Sequence, residues 1–499
     1  MRIIAAALLA LALPLTSAQA PAETPAIALS SVIPAPQQVR QHGAAFRITD
    51  RTVIEAPRNA RDVALRLAEA LRPATGFRLP IVDRAGSNKI SLRTDKSPGY
   101  RLTVEKDAIT ISARENAGLF SGVQTLRQLL PAAIDAPTPR KAKWVVAGGE
   151  IADQPRFAYR GAMLDLARHF HTPAEVKRYI DDISRFKINY LHLHLSDDQG
   201  WRIQIDSWPR LTSVGGAPGT GVDGVGGGFL TKADYRDLVK YAADRYVTIV
   251  PEIDMPGHVN AAQVAYPSLT CDGVAPPPRT DTAVGYSSLC IGKELTYRFV
   301  EDVIRELAAL TPGPYLHIGG DEAHATPTAD YIAFQQRVLP LVAKYGKTPY
   351  GWNEIDQAPA ATGAVLQYWN LEPAFTPVHA SKVVLSPANR AYLDMKYDPT
   401  TRLGLSWAAY IEVDDAYGWD PLSYTPERNI LGVEAPLWSE TLRSIEDIEF
   451  MAFPRLPAIA ELGWSSTHDW ESFRDRLASY GPRWTLQGVD FYRSPQIDW

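Results

Sequence analysis

The sequence is poor in cysteine. Cys271 and Cys290 are the two in 499 residues, too few for a structural zinc site built on thiolates alone. No strong excess of one charge is present either. Lys and Arg number 51 against 56 Asp and Glu, a formal net charge of −5 with no basic block, so nucleic acid is not an expected partner. Beyond the first twenty residues no apolar run approaches the ~18 residues of a membrane span. No Gly-x-Gly-x-x-Gly turn directly joins a strand-like run to a helical pattern, which removes the usual support for a dinucleotide-binding sheet. The glycine-rich run 215–228 lacks Gly-Lys-Ser/Thr and reads as a flexible insertion rather than a phosphate loop.

What is present is a large globular chain, 45% hydrophobic and 21% charged, with 12 Trp and 22 Tyr. Its start, MRIIAAALLALALPLTSAQA, has a cationic Arg2, an apolar stretch from Ile3 to Leu15 and a small-residue cleavage site at Ala18-Gln19-Ala20. That pattern predicts a secretory leader over 1–20 and a periplasmic or secreted product. In such a compartment Cys271 and Cys290 are expected to pair, closing a loop of about 20 residues.

Residues 21–150 are expected to form a small α+β accessory domain behind a frayed Pro/Ala-rich start. Apolar spacing predicts helices over 61–71 and 116–130, and a hairpin around Lys106-Asp107. A Pro/Lys-rich link, 136–143, is read as following this domain. From 151 to 499 the rhythm changes. Eight strand-like runs are expected at 161–166, 190–195, 247–253, 315–318, 349–352, 364–369, 383–385 and 430–437. Helical patterns intervene at 173–186, 232–245, 295–310 and 329–345, and Thr231 with Asp234 forms a capping-box start. Eight β/α units predict a (β/α)8 TIM barrel with enlarged loops; a doubly wound open sheet is the alternative.

A barrel places its chemistry at the C-terminal ends of its strands. Those ends carry Arg168 and His169, Asp197 and Asp198, Asp254 and His258, Asp321 and Glu322, Trp352 and Glu354, Trp369, Tyr392 and Asp394, and Trp438 and Glu440. Carboxylates and a guanidinium suit hydroxyl groups, and indoles suit the apolar faces of a sugar ring. The sharpest segment is His317-Ile318-Gly319-Gly320-Asp321-Glu322. Successive strand residues point to opposite faces, so both acids reach one pocket only if the strand has ended by Gly320. Two adjacent carboxylates repel unless each has its own partner and task, which marks the pair for proton-transfer chemistry.

These blocks, with Asp165-Leu166-Ala167-Arg168-His169-Phe170, His192-Leu193-His194-Leu195-Ser196-Asp197-Asp198 and Glu252-Ile253-Asp254-Met255-Pro256-Gly257-His258, resemble the signatures of the β-N-acetylhexosaminidases of glycoside hydrolase family 20. The resemblance spans both domains. It implies an exo-acting enzyme that releases terminal N-acetylglucosamine or N-acetylgalactosamine with retention, the substrate's own 2-acetamido oxygen acting as nucleophile. Glu322 is then the general acid and later the base. Asp321 holds the acetamido nitrogen as it becomes cationic, and Tyr392 donates to the acetamido oxygen. Trp352, Trp369 and Trp438 box the N-acetyl group; Trp407 stacks nearer the leaving sugar. Arg168 grips the 3- and 4-hydroxyls, Glu440 and Asp394 the 4- and 6-hydroxyls, and Asp197 with His258 forms a pair tuning Glu322.

The residues leave other readings open. A conventional retaining glycosidase would carry its covalent intermediate on Asp321 or Glu354. A catalytically silent sugar-binding barrel would keep the pocket without turnover. His192 and His194 share one strand face and could ligate a metal with Asp197, but packing inside the barrel accounts for them, and no metal or cofactor is expected. The expected partner is an oligosaccharide ending in N-acetylhexosamine, acted on by a monomer or homodimer.

Overall fold

A computed structural model describes residues 26–499. The predicted leader lies outside the described residues. Eight parallel strands close into a barrel: β1 (Tyr159–Asp165), β2 (Tyr190–His194), β3 (Thr248–Glu252), β4 (Tyr315–His317), β5 (Thr348–Trp352), β6 (Val365–Tyr368), β7 (Lys382–Leu385) and β8 (Ile430–Ala435), with β8 pairing back onto β1. Each strand expected from the sequence is there. In β2, alternation sends Leu191 and Leu193 outward into the core shared with the helices, while Tyr190, His192 and His194 point into the barrel. Tyr159, Tyr190, Tyr315 and Tyr350 stack across the barrel's lower end, with Val250, Val365 and Val384. Above this apolar plug the interior is ionic, where barrels usually carry aliphatic side chains.

The helices after β1 to β4, Pro173–Ser184, Lys232–Ala243, Glu294–Leu310 and Thr328–Lys344, match the expected ones. Thr231 and Asp234 form the capping box, their side chains and backbone N–H groups bonding reciprocally at 3.1 and 3.0 Å. The regular β/α alternation then lapses. After β5 come the 3-10 turns Asn353–Gln357 and Pro359–Ala361, and after β7 the five-residue helix Val413–Tyr417. Pro359 and Gly363 interrupt the connection after β5, and Pro373 and Pro377 the one after β6, where no full helix forms. Three helices follow β8, Ile445–Ala452, Arg455–Trp464 and Trp470–Gln487.

The segment 136–143 does not leave the N-terminal domain, contrary to its reading as an interdomain link. The chain returns through Gly149–Asp153, which pairs with Gln38–Gln41 on one side and Tyr100–Glu105 on the other within a seven-stranded sheet. That sheet docks on the barrel's last helices. Asp153 accepts from Tyr100 Oη, Lys187 Nζ and Trp464 Nε1 at 2.8, 3.2 and 3.0 Å. Asp135 receives Arg483 at 2.8 Å.

Cys271 and Cys290 are bonded. Their loop follows β3 and hands Thr282 and Val284 to the cavity at the barrel mouth. Replacing both cysteines by serine is expected to cost about 3 kcal/mol through freedom regained by the unfolded chain. A denaturation midpoint equal to that of the wild type would show that the crosslink contributes nothing.

Candidate active site

The acid pair is presented by a turn rather than by a strand. β4 stops at His317, and Gly319 and Gly320 take φ of +65° and +103°. A Cβ on Gly319 would lie 1.8 Å from Asp254 Oδ1, and one on Gly320 would lie 2.6 Å from Ile355 Cγ2. The Gly320 N–H donates to Asp254 Oδ1 at 3.0 Å, and Tyr331 Oη donates to the Gly320 carbonyl at 2.7 Å. Glu322 itself has φ +44°, and His258 opposite has φ +53°. Left-handed backbone at a non-glycine residue costs of order 1–3 kcal/mol and persists where surrounding contacts impose it. Here it aims Asp321, Glu322 and His258 at one cavity.

That cavity has a volume of about 510 Å³, within the range of small-ligand sites. Arg168, His258, Asp321, Glu322, Tyr392 and Glu440 supply its polar lining, and Trp369, Trp407 and Trp438 its aromatic walls. His258 Nε2 lies 3.6 Å from Asp321 Oδ2 and 3.5 Å from Glu322 Oε2. Its Nδ1 faces Asp197 Oδ1 at 3.1 Å. Burial disfavours the His258 cation, but Asp197, Asp254 and Asp321 outweigh that and hold it well above the ordinary histidine range. Burial likewise penalises ionised Asp197, yet Arg168 and His258 draw it well below the usual carboxylate range. Burial pushes Asp321 up to about 6, against the pull of His258 and with a further push from Glu322.

Arg168 is fixed from three sides. Its guanidinium meets Asp197 Oδ2 at 2.9 Å, Asp165 Oδ2 at 3.4 Å and Gln199 Oε1 at 3.1 Å, and stands 4.9 Å from the Trp438 ring centre. Glu440 Oε1 is 4.0 Å away, at the limit of an ion pair. Several buried polar atoms around the cavity have no protein partner: Asp321 Oδ1, Asp254 Oδ2, both oxygens of Asp394 and Glu440 Oε2. Such a concentration is rare in protein interiors and fits a polyhydroxylated ligand.

Beneath the cavity four nitrogens surround the Glu252 carboxylate. His192 Nε2, His194 Nδ1, His317 Nδ1 and Trp352 Nε1 lie 2.9, 2.5, 2.9 and 3.0 Å from its oxygens. His194 Nε2 continues to Asp197 at 2.7 Å, and His192 Nδ1 to Glu434 at 2.9 Å. Ligand-type atoms converge within a cation's reach at His192–Glu252–His317, His194–Glu252–Asp254, Asp197–Asp254–His258 and His258–Asp321–Glu322. In the first three the direct contacts just described account for much of that closeness.

Comparison with known proteins agrees with this geometry. Residues 157–330 and 324–467 match "Glycosyl hydrolase family 20, catalytic domain", and residues 29–154 match "Glycosyl hydrolase family 20, domain 2". The chain belongs to glycoside hydrolase family 20. It is 41% identical over 410 residues to a beta-N-acetylhexosaminidase of Cellulomonas fimi, covering 80% of this chain and 81% of that protein. The family 20 beta-N-acetylhexosaminidase of Streptomyces coelicolor superposes with a TM-score of 0.92 at 52% identity, over 95% of this chain and 100% of that one. A mutant Streptomyces plicatus beta-hexosaminidase in complex with product, GlcNAc, gives 0.92 at 54% identity, over 96% and 99%.

Of the family 20 residues expected from the sequence, nine line the cavity: Arg168, His258, Asp321, Glu322, Trp369, Tyr392, Trp407, Trp438 and Glu440. Asp197 sits behind it, bridging Arg168 and His258. Trp352 is buried on Glu252, its ring centre 5.9 Å from that of Trp438. Asp394 is buried, with Glu440 close enough to act on its charge. Thr282, Val284, Leu405 and Ser406 also line the cavity and carried no signal, because they arrive on long loops. Glu252 and Glu434 were missed too, although an acid inside an otherwise apolar strand run was a visible clue to a buried network.

Proposed function

We propose that this chain is an exo-acting β-N-acetylhexosaminidase, releasing terminal non-reducing N-acetylglucosamine, or its 4-epimer, from β-glycosides with retention. Two adjacent carboxylates turned into one aromatic-walled cavity are the observation that carries the reading. Glu322 gives its proton to the glycosidic oxygen as the bond to the anomeric carbon breaks. The substrate's acetamido oxygen closes onto that carbon from the opposite face, forming the oxazolinium ion. Asp321 takes the acetamido N–H and balances the positive charge developing there. The Tyr392 hydroxyl aims the acetamido oxygen for in-line attack. Trp369 and Trp438 exclude water from the N-acetyl group with Trp352 packed behind Trp438, and Trp407, 54% exposed, faces the leaving sugar. Water then opens the ring, and Glu322 recovers its proton. Arg168, Glu440 and Asp394 hold the 3-, 4- and 6-hydroxyls and close the pocket behind the terminal sugar, which makes the enzyme exo-acting.

A chitin-type oligosaccharide outside the cytoplasm is the substrate we propose. The Cys271–Cys290 bond supports an oxidising compartment. Two groups were candidates for a covalent nucleophile. Both oxygens of Glu354 receive the Trp369 indole N–H, and Glu354 is not among the cavity's lining residues, which argues against it. Matched 4-nitrophenyl glycosides test the assignment to substrate assistance. The N-acetylglucosaminide should turn over at least ~10³-fold faster than the glucoside, which lacks the internal nucleophile. Comparable rates would remove substrate assistance.

A further inference from the structure

Trp369 is gripped at both backbone and ring by the turn that follows β5. Asn353 Oδ1 accepts its backbone N–H at 3.2 Å, and its indole N–H meets Glu354 Oε1 and Oε2 at 3.0 and 3.2 Å. Both acceptors belong to Asn353–Gln357. That turn is anchored in its own right: Ile355 is fully buried, and Asp356 accepts the backbone N–H groups of Val378, His379 and Ala380 at 2.5, 2.9 and 2.8 Å. Glu354 lines a second cavity, of about 480 Å³, which shares Trp369 and Glu322 with the first. The indole is therefore a partition between two spaces, and one carboxyl holds its polar edge. Burial pushes Glu354 up to about 8, with Asp321 adding to it. At neutral pH it accepts the N–H largely without adding a negative charge beside Asp321.

We propose that Glu354 is a positioning residue that fixes the Trp369 wall and so sets the size of the acyl group accepted on the substrate's 2-amino nitrogen. The inference rests on the reading in which Trp369 flanks the acetamido methyl. An indole has one hydrogen-bonding atom, and a ring anchored there cannot swing about its Cβ–Cγ bond. Without that anchor the adjoining cavity offers room for the ring to tilt, and the box lengthens.

The test is kcat/KM of the full chain on 4-nitrophenyl glycosides of N-acetyl-, N-propionyl- and N-butyrylglucosamine. Wild type should favour acetyl over propionyl by roughly 10–200-fold, the value of one methylene in a fitted apolar pocket. Glu354→Gln keeps a carbonyl acceptor and should hold that ratio within about threefold. Glu354→Leu should lower it by roughly tenfold or more, and Glu354→Ala is the second truncation should Leu not fit. In a Trp369→Phe background the Leu substitution should change the ratio no further, because the two residues act as one unit. A folded Glu354→Leu variant with wild-type selectivity, a Gln variant as relaxed as Leu, or additive effects in the double variant would each overturn the proposal. An inactive wild type would instead overturn the activity reading, and this inference with it.

Discussion

Glu322→Gln should reduce kcat on N-acetylglucosaminides with sugar or alkyl leaving groups by roughly 10³-fold, within the 10²–10⁴ range of positioned acid–base groups. Glutamine keeps the volume and one acceptor but has no proton to give, so the departing alkoxide must leave unprotonated. The deficit should shrink as the leaving group becomes more acidic, because a nitrophenolate needs less help. It should not vanish, since the same side chain must deprotonate water in the second step. KM should change little, because the sugar is held by other lining residues, Arg168 and Glu440. The geometry demands this division. Glu322 keeps a 28% exposed side chain at the junction of two cavities, where a proton can reach both a leaving oxygen and incoming water. A uniform loss below about tenfold across leaving groups would leave Glu322 without an acid's role.

Much of this arrangement was legible in the sequence, and the legible part has a physical basis. Barrel strands read clearly because their outward residues, such as Leu191, Leu193, Leu316 and Ile318, must be apolar to meet the helices. The site residues read clearly because strand ends are where a barrel exposes side chains, and Asp321-Glu322 after two glycines cannot continue a strand. Other features depend on contacts between segments distant in the chain. Glu252 is surrounded by nitrogens from three other strands, β2, β4 and β5, and no local pattern records that. The Cys271–Cys290 loop brings Val284 to the rim by a path that periodicity does not describe. The link at 136–143 was misread because its prolines and lysines resemble a domain boundary. The pairing of Gly149–Asp153 with Gln38–Gln41 and with Tyr100–Glu105 shows the chain turning back.

Asp321→Asn should cut kcat by more than ~10²-fold, the usual loss when a preorganised charge partner is removed, and it should do so while making the protein more stable at neutral pH. Asparagine can still accept the acetamido N–H, so binding survives. It cannot balance the positive charge that grows on that nitrogen as the oxazolinium ring closes. The stability effect follows from the carboxyl's surroundings. Burial and the neighbouring Glu322 push Asp321 up to about 6 in spite of His258 at 3.6 Å. A carboxyl whose folded pKa exceeds its unfolded value of about 3.9 binds its proton more tightly in the native state. Its contribution to stability is therefore full below about pH 4 and lost as pH rises through 6. At pH 7 the native protein carries an ionised Asp321 at a cost of up to about 3 kcal/mol, which a neutral asparagine avoids. Thermal melts of the two proteins should accordingly converge near pH 4 and separate in favour of the variant by pH 7, and wild-type kcat should decline as Asp321 takes up its proton in acid. An Asp321→Asn variant less stable than wild type at pH 7 would mean that attraction to His258 outweighs burial. The site would then be a settled ion pair rather than a carboxylate held ready, at a cost in stability, for a charge that exists only during the reaction.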